Sequence, residues 1–254
     1  MVILNLLAVA TPLYTHARAV DLATLFFTYN FRMFGITAGS HRLLAHNSFR
    51  TSRFLSLLLA VLGASSLQKG PLWWASSHRH HHRYADTEED RHSPKQDGFL
   101  WSHIEWFLLQ DEANCQSTHY IPDLRLKPEL CTLERLHAMP AALLAGLLAF
   151  IGGLHAFLYG FVFSTVLPWH GTFLVNSFAH MSGRKTRECE FDGPCEARNI
   201  QLIAILTLGE GHHHNHHAHM RSVKHGWCAH EVDVTFGILR CMHSFGLVWD
   251  MVLP

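Results

Sequence analysis

Charged residues are scarce in this chain, and neither sign is in excess. The four charged types supply 16% of the 254 residues, and 20 lysines and arginines balance 20 aspartates and glutamates. Because no strongly basic surface is indicated, we expect no nucleic acid partner. The six cysteines contain no C-x-x-C pair and no spacing typical of secreted, disulfide-stapled domains, so we expect reduced thiols.

Several enzyme fingerprints are also missing. The chain has no G-x-G-x-x-G after a strand, no G-x-S-x-G and no phosphate-binding loop, which argues against common nucleotide-binding and hydrolase sites. No haem or flavin motif is present, so any electrons used in a reaction must come from a separate donor. Strand patterns are sparse, and the sequence therefore predicts an all-α protein.

The lack of charge is complete between residues 138 and 180, where no Asp, Glu, Lys or Arg occurs. A bilayer core is crossed by about 20 apolar residues in a helix. This run is long enough for two spans, and Gly152 with Gly153 near its middle suggests the turn between them. The first 40 residues repeat the pattern less cleanly, which predicts a second hairpin and about four membrane helices in all.

The first of these helices is short. Val2–Tyr14 is apolar, but 13 residues rising about 1.5 Å each reach only about 20 Å, against a core of about 30 Å. We therefore expect either that the start of this helix is clipped or that the helix ends in the membrane interface. No basic segment precedes it, which disfavours a secretory signal.

Polar residues fill the remainder, which we interpret as a helical cap. The chain is treated as one domain, 1–254, with membrane hairpins at about 1–40 and 138–180 and a cap formed by 41–137 and 181–254. Most lysines and arginines lie in the cap, whereas the predicted turns on the other side hold only Arg18, which places the cap in the cytoplasm. Residues 83–98 and 188–198 are charged and turn-rich, and we expect solvated loops there.

Histidine is the residue present in excess, at 23 of 254. It is concentrated in three clusters, namely His41 and His46 in SHRLLAHN, His78, His81 and His82 in SHRHHHRY, and His213, His216 and His217 in GEGHHHNHHAHM. An isolated His180 ends the uncharged run. Neutral imidazole is the commonest side-chain ligand of transition metals, and eight or nine such groups are enough for two ions.

The spacing of the clusters tests this interpretation. Residues i, i+3 and i+4 share one face of a helix, so each of the last two clusters directs its three named histidines to one side. By the same geometry His80, His212 and His214 face elsewhere and are poor ligand candidates. His41 and His46 are about 140° apart on a regular helix. Either they bind different ions, or the helix unwinds between residues 40 and 47.

The ligand chemistry favours iron over zinc. A structural zinc site closes at four ligands and commonly includes cysteine, which is absent from all three clusters. We favour a redox pair of irons that activates dioxygen. Asn176, one helical turn before His180, is positioned to hold a metal-bound water. The remaining histidines, His92, His103, His170 and His225 among them, are expected at surface, packing or outer positions.

At this point the sequence resembles a known family, the membrane fatty acid desaturases of the acyl-CoA delta-9 (stearoyl-CoA) type, bacterial branch. The likeness runs from about Arg32 to Pro254 and includes RMFGITAGSHRLLAH, QKGPLWWASSHRHHHRYADTEED, HSPKQDGFLWSH, WHGTFLVNSFAH, LTLGEGHHHNHH, EVDVTFGILR and GLVWD. The resemblance implies four membrane helices, a cytosolic cap and two Fe2+ ions. It also implies a bent tunnel in which a saturated acyl chain receives a cis double bond, at the delta-9 position, from dioxygen and two electrons.

The resemblance also implies the residues of the site. The metal ligands would be His41, His46, His78, His81, His82, His180, His213, His216 and His217, with Asn176 acting through water. Trp74, Thr172 and Phe173 would line the acyl tunnel. Phe173 replaces a tryptophan, and Ser76 stands where relatives have an arginine that contacts coenzyme A. The substrate is therefore expected to be a fatty acyl-CoA or an acyl-lipid, and the electron donor a ferredoxin or a b-type cytochrome with its reductase.

Two other functions use similar residues. A membrane di-iron hydroxylase or alkane monooxygenase would share the ligand set and yield hydroxylated products. A histidine-rich membrane protein for metal binding or transport would place its ligands inside the spans. Here the clusters lie outside the predicted spans, which favours an enzyme.

Overall fold

A computed structural model describes residues 1–109, 118–186 and 194–254, and these are mostly helical, as predicted. The α-helices are α1 (Val2–Tyr14), α2 (Ala19–Phe34), α3 (Arg53–Ala64), α4 (Pro71–Tyr84), α5 (Pro94–Leu100), α6 (Trp106–Leu109), α7 (Pro122–Arg125), α8 (Pro128–Arg135), α9 (Met139–His155), α10 (Ser164–Asn176), α11 (Gln201–Leu206), α12 (His213–Ala218) and α13 (Val234–Ser244). Wider π-helical turns form Gly35–Ala45, Trp101–Glu105 and Ala156–Phe163, and 3-10 turns form Thr118–Tyr120 and Phe178–His180.

Sheet structure in the described residues is limited to one pair of two-residue strands. Strands β1 (Arg50–Thr51) and β2 (Val248–Trp249) are antiparallel, with Arg50 opposite Trp249. They join the chain after the first histidine cluster to the C-terminal segment. Cys115 and Cys189 lie outside the described residues, and Cys131, Cys195, Cys228 and Cys241 are free thiols.

The uncharged run folds back on itself where the sequence predicts a turn. Gly153 has φ +61°, a conformation that favours glycine, and the chain reverses there. Beyond the turn, Gly160 faces Leu148 so closely that a Cβ on it would lie 3.3 Å from the leucine side chain. The two arms are therefore packed antiparallel.

This run is also the part of the described chain that best fits a membrane. Met139–His180 is long enough to cross a bilayer, and its most apolar 18-residue window has a mean hydropathy of 2.1 with only 11% of the window buried inside the protein. No second such stretch occurs in the described residues, since Val2–Tyr14 and Arg53–Ala64 are apolar but shorter.

The segment between α1 and α2 is joined to the turn at Gly153 by a polar contact. The Asp21 carboxylate lies in the first turn of α2, where a negative charge stabilises the helix N-terminus. It accepts hydrogen bonds from the Arg18 guanidinium at 2.8 Å and from His155 Nδ1 at 3.0 Å. His155 belongs to the turn of the second hairpin, so one carboxylate ties both turns together.

Helix α3 lies directly against the π-helical extension of α2. A Cβ on Gly35 would lie 2.4 Å from the backbone nitrogen of Gly63, and one on Gly39 would lie 2.7 Å from the carbonyl oxygen of Leu59. Only glycine allows this approach. The buried Arg32 fixes the same region, because its guanidinium donates to the carbonyl of Ser65 and to Ser164 Oγ.

Candidate metal centre

The first histidine cluster owes its geometry to the π-helix Gly35–Ala45. The His46 N–H donates to the carbonyl of His41 at 3.1 Å, an i to i+5 bond that widens the turn. Both imidazoles then face the same side, with ring centroids 4.8 Å apart. The expectation that the helix unwinds here is wrong, because Gly35–Ala45 stays helical with a wider turn. This turn places His41 and His46 in the same group of imidazoles, which favours one shared ion.

The three clusters and His180 meet at one place and form two adjoining groups. One group contains five imidazoles, His41, His46, His78, His82 and His216, and the other contains four, His81, His180, His213 and His217. Within each group the ligand nitrogens all lie within 4.8 Å of one another. Helix α4 contributes to both groups, and so does α12.

The nitrogen positions fit bound transition metals. The Nε2 atoms of His46 and His78 are 2.8 Å apart, and those of His180 and His213 are 3.0 Å apart. Two nitrogens at right angles around an ion, with bonds of about 2.1 Å, are separated by about 3.0 Å. His81 Nε2 is buried and has no hydrogen-bond partner among the described residues. A donor set of neutral imidazoles suits one metal ion in each group.

Burial disfavours the charged form of six of these imidazoles, whereas for His81 the neighbouring Asp90 carboxylate outweighs burial and raises the pKa. The pKa values of His78, His82 and His213 lie well below the ordinary histidine value, first because burial disfavours the charged ring and second because neighbouring imidazoles repel a proton. Neutral rings keep a lone pair free for coordination.

Three carboxylates contact the Nδ1 nitrogens of three of these histidines, on the side of the ring that faces away from the metal position. His180 Nδ1 is 2.8 Å from Asp86, His81 Nδ1 is 3.0 Å from Asp90, and His41 Nδ1 contacts Glu210. Such contacts place the imidazole proton on Nδ1, so that the Nε2 lone pair faces the metal position.

The expectation of a solvated loop at residues 83–98 is wrong for two of these carboxylates. Asp86 is 1% exposed and Asp90 is 2% exposed. Burial works against the charge on Asp86, but the hydrogen bond from His180 outweighs it and lowers its pKa to about 2. The useful signal in the sequence was the position of both acids within eight residues of the second histidine cluster.

Two arginines near the metal site connect the three histidine clusters through hydrogen bonds. The Arg79 guanidinium donates to the carbonyls of Leu44, Ala45 and Tyr120 and to both oxygens of Asp123, at 2.7–2.9 Å. It thereby joins the second cluster to the end of the first. Sequence reasoning used this residue only as part of the charge pattern.

Arg42 joins the first cluster to the third. It is fully buried and contacts Glu210 and Asp233 at 3.1 Å, and it donates to the carbonyl of Val223 at 2.9 Å. Asp233 also caps helix α13 through the N–H of Phe236. The C-terminal helix is therefore tied to the same network as the metal ligands.

Two small cavities open onto the histidine groups between α4 and α10. Both are lined by Trp74, His78, Thr172 and Asn176, and one also contacts Phe173. The structure thus brings together the predicted tunnel residues and the predicted water-holding asparagine. The Trp74 ring stacks on His78 with centroids 4.9 Å apart.

Gln68 is a cavity residue that sequence reasoning missed. Its amide nitrogen donates to Thr172 Oγ1 at 3.0 Å, and its amide oxygen lies 3.5 Å from Trp74 Nε1. The side chain is buried, so it fixes the two walls of the cavity relative to each other. Its position after a turn gave no periodic signal.

Histidines outside the two groups lie largely where expected. His212 Nε2 contacts the carbonyl of Val232 at 3.1 Å, and His214 Nδ1 contacts that of Ala197 at 3.0 Å. His92 stacks on His81 at 4.3 Å, and His225 lies 4.6 Å from His216. Both are buried packing partners of the ligand rings.

Known proteins resemble this chain over most of its length. The sequence model of the family described as fatty acid desaturase matches residues 19–228. An sn-2 palmitoyl-lipid 9-desaturase of Nostoc sp. (strain 36) is 37% identical over 254 residues, 98% of this chain and 87% of the relative. An sn-1 stearoyl-lipid 9-desaturase of Anabaena variabilis is 34% identical over 86% of this chain and 79% of its own length. An icosanoyl-CoA 5-desaturase of Limnanthes douglasii is 32% identical and is covered to 71% of its length.

Proposed function

The chain belongs to the fatty acid desaturase family, and from this premise we propose that it is an oxygen-dependent acyl desaturase that introduces one cis double bond into a saturated acyl chain. The observation that carries the proposal is the double group of imidazoles beside an aromatic-lined cavity. A metal store would need the imidazoles but not the cavity.

We propose that the two groups hold two Fe2+ ions. His41, His46, His78, His82 and His216 bind one ion, and His81, His180, His213 and His217 bind the other, with Asn176 holding a water on it. When bound, the irons supply the oxygen-dependent oxidation that removes two hydrogens from adjacent carbons.

The protein's own residues determine where on the acyl chain this oxidation occurs. Trp74, Thr172 and Phe173 form cavity walls that fit a hydrocarbon chain. Such walls exclude water and hold one methylene pair beside the imidazole groups, which makes a reactive oxidant selective. We propose the delta-9 position for the new double bond, because two relatives are named 9-desaturases.

The carrier of the acyl chain is proposed to be a membrane lipid. The relatives from Nostoc and Anabaena are named lipid desaturases, and Ser76 replaces the arginine expected for coenzyme A contact. An acyl-CoA is the alternative, as in the Limnanthes relative. Two electrons come from a separate protein, a ferredoxin or a b-type cytochrome with its reductase.

The proposed setting is a bilayer crossed by four helices in two hairpins, with the cap on the cytoplasmic side. The apolar Met139–His180 hairpin and its contacts with α1 and α2 support this topology. The positive-inside distribution of lysines and arginines supports the orientation.

Fatty acid profiling in a desaturase-deficient host tests the function. The wild-type chain should produce a cis monounsaturated fatty acid, and His81→Ala should not, because one ion loses a ligand. His230→Ala is the matched control, since His230 is exposed and lies outside both groups. Expression of all three proteins is checked by immunoblot.

The same experiment separates the alternatives. Hydroxylated acyl chains without new unsaturation would indicate the hydroxylase. Unchanged lipids from a metal-loaded protein supplied with its donor, together with metal uptake into vesicles, would indicate a transporter.

A further inference from the structure

In the four-histidine group, the Nδ1 nitrogens face away from the metal position and have unequal partners. Two of its members, His81 and His180, contact buried carboxylates. His213 Nδ1 has no hydrogen-bond partner among the described residues. The fourth member, His217, has a thiol partner: its Nδ1 is 3.3 Å from Cys195 Sγ.

The contact between Cys195 and His217 has a defined direction. His217 Nε2 lies 3.1 Å from His213 Nε2 inside the group, so Nδ1 is the nitrogen that faces outward. A neutral imidazole that coordinates through Nε2 carries its proton on Nδ1, and this N–H donates to the sulfur. The ring orientation and the tautomer are therefore both set by this contact.

The thiol is held in place by the same network as the ligands. Cys195 is 9% exposed, and the next residue, Glu196, donates its backbone N–H to Asp86 at 2.7 Å. Asp86 is the carboxylate behind His180. The backbone that carries Cys195 is thus fixed to an outer partner of a neighbouring ligand.

We propose that Cys195 is a positioning residue for His217, and that its sulfur makes His217 a weaker donor to the metal than the carboxylate-supported His81 and His180. The inference rests on the proposed function, in that the four-histidine group holds an ion. A thiol sulfur is a weak acceptor, whereas a carboxylate raises the basicity of the imidazole that it contacts. The ion in this group is therefore held less tightly than it would be if His217, like His81 and His180, had a carboxylate partner.

Release of Co2+ from the purified full-length protein tests the proposal. Protein loaded with Co2+ alone is mixed with excess chelator, and the decay of its visible absorption gives one rate for each group. Cys195→Asp should slow the phase of the four-histidine group about tenfold, and Cys195→Ala should accelerate it about tenfold. The phase of the five-histidine group should not change in either variant.

Two further variants make the result specific. Cys195→Ser keeps a small acceptor and should remain within about threefold of the wild-type rate, which also covers the case that the alanine variant fails to fold. Cys241→Ala is the matched control, because Cys241 is an exposed thiol of helix α13. Equal changes in both phases, or none in either, would overturn the role of Cys195. Failure of the proposed function would be recognised separately, as wild-type protein that does not bind two equivalents of metal.

Discussion

At the residue scale, the site depends as much on acids as on histidines. Asp90 is almost fully buried behind His81, and Asp86 and Glu210 serve two other ligands. Helix spacing alone aligns six of the nine imidazoles, so the sequence predicted these six from geometry. It did not predict Asp86 as a partner of His180, because these residues are 94 positions apart and meet only in the folded chain.

Asp90→Asn should weaken metal binding by about 10–100-fold, because an amide oxygen supports the His81 N–H less well than a carboxylate. Metal retained after dialysis against a chelator series, measured by mass spectrometry, gives the affinity. Asp97→Asn is the control, since Asp97 is exposed on α5. Equal retention in both variants would contradict the role of Asp90.

Asp123 should make the stability of the folded protein sensitive to acid. Burial raises the pKa of this carboxyl, but its hydrogen bonds with Arg79 outweigh burial and hold the folded-state pKa below the ordinary value. The pair therefore stabilises the protein above about pH 4 and ceases to do so as pH falls through the lowered pKa. We expect Asp123→Asn to have a lower melting temperature than wild type at pH 6, and the difference to shrink toward pH 3. A difference that stays constant over this range would show that the carboxylate charge is not involved.

At the element scale, the least predictable feature is the π-helix between Gly35 and Ala45. Regular helix geometry separates His41 from His46, and the sequence alone left two explanations open. Helix α3 packs closely against this wider segment, and that contact depends on glycine at Gly35 and Gly39. The faces of α4 and α12, by contrast, follow directly from i, i+3 and i+4 spacing.

Gly39→Ala should therefore destabilise the protein by about 1–3 kcal/mol, because the added methyl would lie 2.7 Å from the Leu59 carbonyl. Thermal unfolding in detergent, followed by circular dichroism, measures the loss. Gly146→Ala is the matched control in an apolar helix, where a methyl meets nothing within 4 Å. That variant should be neutral or more stable by up to about 1 kcal/mol. Similar losses in both would exclude the close contact as the cause.

At the scale of the whole molecule, the helical class and the fold-back of the uncharged run were predictable. A run without charge and an adjacent glycine pair are local signals, and the structure confirms a turn at Gly153. The joining of distant segments was not, since Arg32, Arg42 and Arg79 act through contacts with distant backbone. Charge patterns identify such residues as basic but do not show which carbonyls they contact.

Gly153→Ala should lower the free energy of unfolding by about 1–3 kcal/mol, because alanine rarely adopts φ +61° with ψ −152°. No atom lies within 4 Å of the added methyl, so the cost is one of backbone conformation and not of packing. A lower melting temperature than that of Gly146→Ala checks this. Gly153→Asn should not recover the loss, because asparagine tolerates positive φ mostly with ψ near about +47° and not with ψ −152°.

Helix α4 carries ligands for both imidazole groups, with His78 and His82 in one and His81 in the other. One rigid helix therefore sets the spacing of the two positions. Because Arg79 already fixes this helix through hydrogen bonds to the carbonyls of Leu44 and Tyr120, both positions are complete before an ion enters, and the two ions should bind independently. Titration with metal should then give two separate binding steps with singly occupied protein between them, so that scarcity of metal leaves many half-filled molecules.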